Sequence, residues 1–336
     1  MNQCSSGPSL EGSNVCPPGL SHAQNKYTVV SWNVGTIRDF ARMCFVEQRK
    51  RDHGIGHAQQ EYRRKEEAYV KAVGDLRVNM HFAPPDKSEA ARQSLNRKMG
   101  AHRYVDSEGL QRRSQLFQRS FSQLGNPDII CLQEAWQLED YVLRSILPPG
   151  YAFSRKSGDD GVVVWNSAKF DMAQCVDVTY ASNRNPSTII ILKARDSSAT
   201  ICVASAHLAG FSLAFGEEGA KGVEEGDLQI EADLKTMATT RADLYLYAGD
   251  LNTPSALYSR RHEIAKGRGY VFDTAEEPTV YDFNLRREDG ITSMPVRLDY
   301  ICAKGGKVEP RPLEGVHLDN FNRPSDHIPI SAVVSF

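Results

Sequence analysis

The sequence predicts an α/β fold in which β-sheets pack face to face and helices lie outside them. Eight short apolar stretches have the composition of buried strands, few segments are helical in pattern, and no internal repeat occurs. Of the 336 residues, 40% are hydrophobic and 24% are charged, which is typical of globular proteins. The length permits one large α/β domain or two ordinary ones.

The predicted strands are rich in β-branched and apolar residues, and several end in a polar side chain. They cover residues 27–34, 128–134, 161–166, 187–194, 200–208, 244–252, 297–304 and 330–336. Stretches that are polar and almost free of Pro and Gly predict helices at 37–80, 87–123, 136–147 and 224–240.

Residues 38–120 form the most basic part of the chain. They contain 18 Lys or Arg against 11 Asp or Glu, a local net charge of +7 in a chain whose net charge is -2. Clustered basic residues attract phosphates, so this segment predicts a contact surface for nucleic acid or phospholipid, with Arg112 and Arg113 as candidate contacts. The alternative is a solvated helical hairpin with ordinary charged faces.

The cysteines and the amino terminus bear on location. Seven cysteines, without CxxC spacing, predict a reducing compartment, and Cys131 and Cys202 lie inside apolar stretches typical of the core. Residues 1–26 are rich in Ser, Gly and Pro and predict a flexible tail rather than a secretory signal. No apolar stretch is long enough to span a membrane, so an intracellular location, nuclear or cytoplasmic, is expected.

Polar side chains cluster where the predicted strands end. Asn33, Glu134 and His207 each end a strand, and Asp250 with Asn252 ends another. Asp250 and Asn252 lie two residues apart and would face the same side of an extended chain. Strand ends hold side chains rigidly at the rim of a sheet, which suits a preorganised site.

These residue types together predict phosphoester chemistry. Carboxylate oxygens such as those of Glu134 and Asp326 favour Mg²⁺, or Mn²⁺, over zinc. Two histidines can act as acid, base or phosphate ligand, and an aspartate such as Asp299 can fix the tautomer of one of them. Each residue alone could be a solvated strand end or a turn, so the prediction depends on the whole set. Its members are Asn33, Glu134, His207, Asp250, Asn252, Asp299, Asp326 and His327.

Six short motifs carry a family resemblance. They are WNV (32–34), LQE (132–134), AHL (206–208), GDLN (249–252), LDYI (298–301) and SDH (325–327). In this order, they resemble the endonuclease/exonuclease/phosphatase (DNase I-like) superfamily. The resemblance implies a four-layered α/β sandwich over 27–336, made of two mixed β-sheets flanked by helices, with a basic helical insertion at about 38–120.

The resemblance also implies roles for single residues. Glu134 would bind Mg²⁺, with Asn33 and Asp326 close to the metal. Asp250 would orient or deprotonate the attacking water, and His207 would be the second catalytic histidine. The phosphate-binding group implied by the resemblance is Asn33, Asn252 and His327, with Asp299 supporting His327.

Departures from family patterns narrow the expected substrate. Gly35 occupies the position of an Asp in repair nucleases, and LDYI replaces a motif of inositol phosphatases, so the chain resembles deadenylase-type nucleases and neutral sphingomyelinases most. The expectation is a metal-dependent nuclease or nucleotide phosphodiesterase that does not insert into membranes. A sphingomyelinase, an inositol-phosphate phosphatase and a non-catalytic binding module are the alternatives.

Overall fold

The computed structural model of the protein describes residues 25–35, 107–135, 138, 140–155, 160–180, 187–210, 216–255, 258–287, 290–313 and 324–336. Its elements, in chain order, are β1 (Lys26–Asn33), α1 (Ser107–Gln123), β2 (Ile129–Gln133), α2 (Asp140–Ile146), β3 (Tyr151–Ser154), β4 (Val162–Asn166), β5 (Phe170–Val176), β6 (Thr188–Ala194), β7 (Thr200–His207), α3 (Gly216–Ala238), β8 (Leu244–Asp250), α4 (Arg260–Gly267), β9 (Val271–Phe272), β10 (Val280–Arg287), β11 (Gly290–Val296), β12 (Asp299–Lys304), β13 (Lys307–Pro310) and β14 (Ile330–Ser335). Among the described residues, no helix combines the length and apolarity needed to cross a membrane.

Two six-stranded sheets form the centre of the fold. The first has the strand order β13-β14-β1-β2-β4-β3, and the second has the order β5-β6-β7-β8-β12-β9. Each contains one parallel pair near its middle, β1 with β2 and β7 with β8, and its other pairs are antiparallel. A separate antiparallel hairpin is formed by β10 and β11.

The central strands are apolar on both faces, because each sheet packs against the other sheet on one face and against helices on the other. Along β8, Leu246 and Ala248 face the core between the sheets, whereas Tyr247 packs against the outer helices. Successive side chains of a strand point to opposite faces, so a sheet buried on both sides needs an uninterrupted apolar sequence. The buried runs of β4, β7 and β8 meet this requirement.

Helices complete the outer layers. On the first sheet, Phe117 and Phe121 of α1 pack against Trp32, with ring centroids 5.4 Å from the indole in both cases. On the second sheet, Leu234 of α3 and Ala265 of α4 lie in one apolar cluster with the strand residues. The order helix, sheet, sheet, helix confirms the predicted four-layered sandwich of two mixed sheets.

Most of the predicted elements are present. All eight predicted strands occur with ends within two residues of the prediction, and α2 falls inside the predicted helix 136–147. The helix predicted at 224–240 begins earlier, at Gly216, and only the last 17 residues of the helix predicted at 87–123 are described, as α1. The helix predicted at 37–80 and the tail lie outside the described residues, and the domain boundaries stay a prediction.

The prediction missed six strands: β3, β5, β9, β10, β11 and β13. Strands β3, β5, β9 and β13 lie at or beside sheet edges, and β5 is solvent-exposed along most of its length. Edge strands bury one face at most, so their sequences lack the continuous apolar pattern of the central strands. Cys131 and Cys202 are fully buried as expected, and the described cysteines are free.

Candidate active site

Strand register brings the polar strand ends to one rim of the sandwich. In the first sheet, Asn33 pairs with Gln133 across the parallel strands β1 and β2. In the second, Asp250 pairs with His207 on β7 and with Asp299 on β12, so three of the predicted site residues lie on adjacent strands. Parallel strands end at the same edge, and β12 begins where β8 ends.

Asn33 joins the two sheets at this rim. Its Nδ2 donates to Oε1 of Glu134 and to Oδ2 of Asp250, at 3.0 Å in both cases. Its Oδ1 accepts from the backbone N–H of Gly35 at 2.9 Å. A single buried amide therefore fixes two carboxylates that come from different sheets.

His327 is held by Asp299 in a buried pair. Its Nδ1 lies 2.8 Å from Oδ2 of Asp299, and its Nε2 lies 3.7 Å from Oδ2 of Asp250. Burial lowers the pKa of His327, but the negative charges of Asp299 and Asp250 outweigh burial and hold this pKa well above its usual range. The protonated form of His327 is therefore favoured, and its Nε2 is directed toward Asp250.

A second histidine pair involves a residue that the sequence did not single out. Nδ1 of His207 contacts Oδ2 of Asp160, and its Nε2 lies 3.7 Å from Glu134 and 3.8 Å from Asp250. Burial lowers the pKa of His207, but the hydrogen bond and charge of Asp160 outweigh burial and raise this pKa to about 9. Asp160 reaches the rim because β4 runs antiparallel to β2 and starts where β2 ends. An aspartate directly before a buried strand is the signal that could have found it.

Asp250 lies between the two histidines. Burial raises the pKa of its carboxyl group, which the charge of His327 opposes and the charge of Asp299 reinforces. Its Oδ1 accepts from the backbone N–H of Asn252 at 2.7 Å, and the Asn252 side chain donates to the carbonyl of Leu208 at 3.0 Å.

The backbone is strained at two of these positions. Glu134 has φ of +54° and Asn252 has φ of +52°, in the left-handed region that residues other than Gly seldom adopt. Asn tolerates this conformation, whereas Glu has no local reason to adopt it. Such conformations persist where the surrounding structure enforces them, and they cluster at functional sites.

Asp326 lies beside the glycine of the first motif. A Cβ atom added to Gly35 would lie 2.9 Å from Oγ of Ser325 and 3.1 Å from Oδ1 of Asp326. Gly35 also has φ of +63°, so this position favours Gly for both space and backbone. The departure from the repair-nuclease motif thus permits Ser325 and Asp326 to approach, and Ser325 donates to the carbonyl of Asn33 at 2.7 Å.

The donor set at the rim suits a hard divalent cation. Among the predicted site residues, Glu134, Asp250, Asp299 and Asp326 carry carboxylates. Ligand atoms of Asp250, Asp299 and His327 lie within 4.8 Å of one another. Oδ1 of Asp299 is buried and has no hydrogen-bond partner among the described residues. Because the raised pKa of His327 favours its protonated form, which cannot ligate a cation, the ligands that remain are mainly oxygens, which Mg²⁺ and Mn²⁺ prefer.

The structure separates the two arginines that were predicted to contact substrate. Arg112 is exposed on α1, and its role stays a prediction. Arg113 is only 3% exposed, and its guanidinium donates to backbone carbonyls, including that of Gly35 at 2.7 Å. The prediction of Arg113 as a surface phosphate contact is wrong, because the helical periodicity turns this side chain into the protein.

Comparison with known proteins identifies relatives of this arrangement. The model of the Endonuclease/Exonuclease/phosphatase family matches residues 78–327, which include five of the six motifs and exclude WNV. No curated protein matches the chain in sequence.

Solved structures match over nearly the whole chain. An endonuclease/exonuclease/phosphatase family protein from Bacteroides thetaiotaomicron is 16% identical with a TM-score of 0.50, covering 93% of this chain and 96% of its own. An endonuclease/exonuclease/phosphatase from Bacteroides vulgatus is 14% identical with a TM-score of 0.50, covering 92% and 98%. Truncated TDP2 from Caenorhabditis elegans is 15% identical with a TM-score of 0.47, covering 92% and 97%. At these identities, the two Bacteroides structures show a shared fold and not a shared substrate.

Proposed function

The chain belongs to the Endonuclease/Exonuclease/phosphatase family, and from this premise we propose that it is a Mg²⁺-dependent phosphodiester hydrolase acting on a nucleic acid or a nucleotide. Members of this family are generally hydrolases of phosphoester bonds.

One observation carries the proposal: Asp250 lies between two histidines that are each held by another aspartate. Its Oδ2 is 3.7 Å from Nε2 of His327 and 3.8 Å from Nε2 of His207. Both distances are too long for a direct hydrogen bond, and one oxygen atom of water or phosphate could bridge either gap. A base with two protonatable donors beside it suits phosphodiester hydrolysis, which needs a proton acceptor for water and donors to the phosphate oxygens.

Each side chain then has a distinct task. Asp250, whose burial favours the protonated form, accepts a proton from the attacking water, and the amide of Asn252 helps to orient this water or a phosphate oxygen. His327 donates to a non-bridging oxygen of the scissile phosphate. His207, protonated through Asp160, donates a proton to the leaving oxygen.

Glu134 is the proposed ligand of the divalent cation, with Asn33 and Asp326 beside it. When bound, Mg²⁺ would neutralise the negative charge that develops on the phosphate oxygens. Asn33 positions Glu134 through the 3.0 Å hydrogen bond, and the left-handed backbone of Glu134 directs its carboxylate to the rim.

A substrate panel tests the proposal. The purified protein with Mg²⁺ is offered labelled single-stranded RNA, single- and double-stranded DNA, sphingomyelin and inositol phosphates. Cleavage of a polynucleotide or nucleotide that EDTA and Asp250→Ala both abolish is expected. Cleavage that survives EDTA or this substitution contradicts the mechanism, and cleavage of lipid alone contradicts the substrate.

Two binding measurements complete the test. Calorimetry with Mn²⁺ is expected to show tight binding that Glu134→Gln weakens at least tenfold and that Arg112→Gln leaves unchanged. Arg112→Gln is expected to weaken polynucleotide binding and to reduce the slope of log affinity against log salt by about 1. An unchanged salt slope favours the solvated-hairpin interpretation of the basic segment.

A further inference from the structure

Two buried arginines reach the rim from opposite outer layers of the sandwich. Arg113 belongs to α1 outside the first sheet and is 3% exposed, and Arg261 belongs to α4 outside the second sheet and is fully buried. Arginine is rarely buried, because a charge removed from water is costly unless it is paired and hydrogen-bonded. Both arginines bind the backbone of the loops that carry the proposed catalytic residues.

Arg261 joins the two loops at the end of the second sheet. Its guanidinium donates to the carbonyl of Leu251, which lies between Asp250 and Asn252, and to that of Ala209 at 3.1 Å, two residues after His207. Its Nε donates to Oδ1 of Asp227 at 3.2 Å, and this carboxylate balances the buried charge.

Helix α3 is shaped to receive this guanidinium. A Cβ atom at Gly226 would lie 2.0 Å from Nη2 of Arg261, so any larger residue would displace it. The carbonyl of Val223 accepts from the same Nη2 at 3.0 Å, and Gln229 accepts from the backbone N–H of Ala209 at 2.6 Å. The helix thus supports both the arginine and one of the loops that the arginine holds.

Arg113 makes the corresponding contacts at the first sheet. Its Nη2 donates to the carbonyls of Val34 at 2.8 Å and Gly35 at 2.7 Å, directly after Asn33. Its Nε donates to the carbonyl of Pro324 at 3.2 Å, two residues before Asp326. One side chain therefore joins two segments that are about 290 residues apart in sequence.

We propose that Arg113 and Arg261 are positioning residues that hold the two halves of the active site in catalytic geometry. This inference rests on the proposed function for its catalytic part, and on the contacts alone for its structural part. The planar guanidinium presents five N–H donors in a fixed fork and can bind carbonyls of two segments at once, a geometry that the single nitrogen of Lys does not reproduce. Loss of either fork would free one pair of loops and remove guanidinium donors from their buried carbonyls.

Hydrogen exchange of single variants tests the structural part. In Arg261→Met, peptides that contain residues 208–210 and 250–253 are expected to exchange at least tenfold faster, with 33–35 and 324–327 unchanged. In Arg113→Met, peptides that contain residues 33–35 and 324–327 are expected to exchange at least tenfold faster, with 208–210 and 250–253 unchanged. Leu192→Ala is the control, because it removes a buried side chain of β6 from the apolar cluster between the two sheets, which includes no residue of these four segments, and its exchange should rise evenly.

Kinetics on the substrate found by the panel test the catalytic part. Each Met variant is expected to lower kcat by about 10- to 100-fold with little change in KM, as small displacements of catalytic groups do. Arg261→Lys and Arg113→Lys keep the charge and lose the fork. They are expected to show the same local increases in exchange as the corresponding Met variants, and they replace these variants if the Met variants do not fold.

Even exchange over the whole chain, or a loss of kcat no larger than that of Leu192→Ala at equal loss of Tm, would overturn the inference. If the wild-type protein cleaves no substrate in the panel, the proposed function fails. In that case, the local exchange patterns still decide whether the two arginines hold the loops.

Discussion

The two histidine–aspartate pairs of the rim differ in how deeply they are buried. The side chains of His327 and Asp299 are 9% and 0% exposed, whereas those of His207 and Asp160 are 22% and 12% exposed. Both pairs link one sheet to the other, and both histidines have a raised pKa. We propose separate tasks for the two pairs: the inner pair binds the phosphate through the favoured protonated form of His327, and the outer pair, which water can reach, exchanges its proton.

The largest expected effect comes from the inner pair. Asp299→Asn removes the charge that holds His327 protonated and oriented, and should lower kcat about 10³-fold or more, as tautomer-fixing aspartates do. Steady-state kinetics of the wild type and the variant measure this loss of kcat. Asp233→Asn is the matched control, since Asp233 is fully buried and accepts from three hydroxyls on the outer face of the second sheet. Equal losses in both variants would show that burial alone explains the effect.

A smaller effect is expected at the outer pair. Asp160→Asn should lower kcat about 10- to 100-fold, because water can reach His207 and replace part of the lost interaction. The same kinetic assay measures the ratio between the two aspartate variants. A loss at Asp160 as large as that at Asp299 would contradict the division of tasks between the pairs.

The pH dependence of kcat sharpens the comparison. If His207 acts as the acid, wild-type activity should fall as pH rises through about 9, where this side chain loses its proton. In Asp160→Asn, the cause of the raised pKa is removed, and the fall should begin at least one pH unit lower. If activity in this variant still falls at the same high pH as in the wild type, a group other than His207 causes the fall.

The smallest expected effect is on stability, measured as Tm in EDTA. A folded-state pKa of His207 raised above 6.5 stabilises the fold fully below pH 6.5, and this stabilisation is lost as pH rises through about 9. The Tm advantage of wild type over Asp160→Asn should therefore shrink between pH 7 and pH 10. An advantage that grows in this range would mean that Asp160 stabilises the neutral histidine.

The sequence alone determined the central strands, the layer order and the eight polar residues at the rim. Central strands are buried on both faces, so their sequences are apolar throughout and their polar ends are conspicuous. His207, Asp250 and Asp299 are brought together by strand register, which follows from pairing the same apolar stretches. The central strands were therefore predictable from local patterns, whereas the eight candidate residues were predictable only as a set and in the order of the family motifs.

Only the tertiary structure decided which residues hold these groups. Asp160 and Arg261 belong to no recognisable sequence motif. Arg112 and Arg113 are adjacent on α1, yet the side chain of Arg112 is exposed and that of Arg113 is buried. The left-handed backbone of Glu134 likewise has no signal in its own residue type. Each of these features depends on contacts between segments distant in sequence, and a local pattern contains no information about which distant carbonyl or carboxylate will face a side chain.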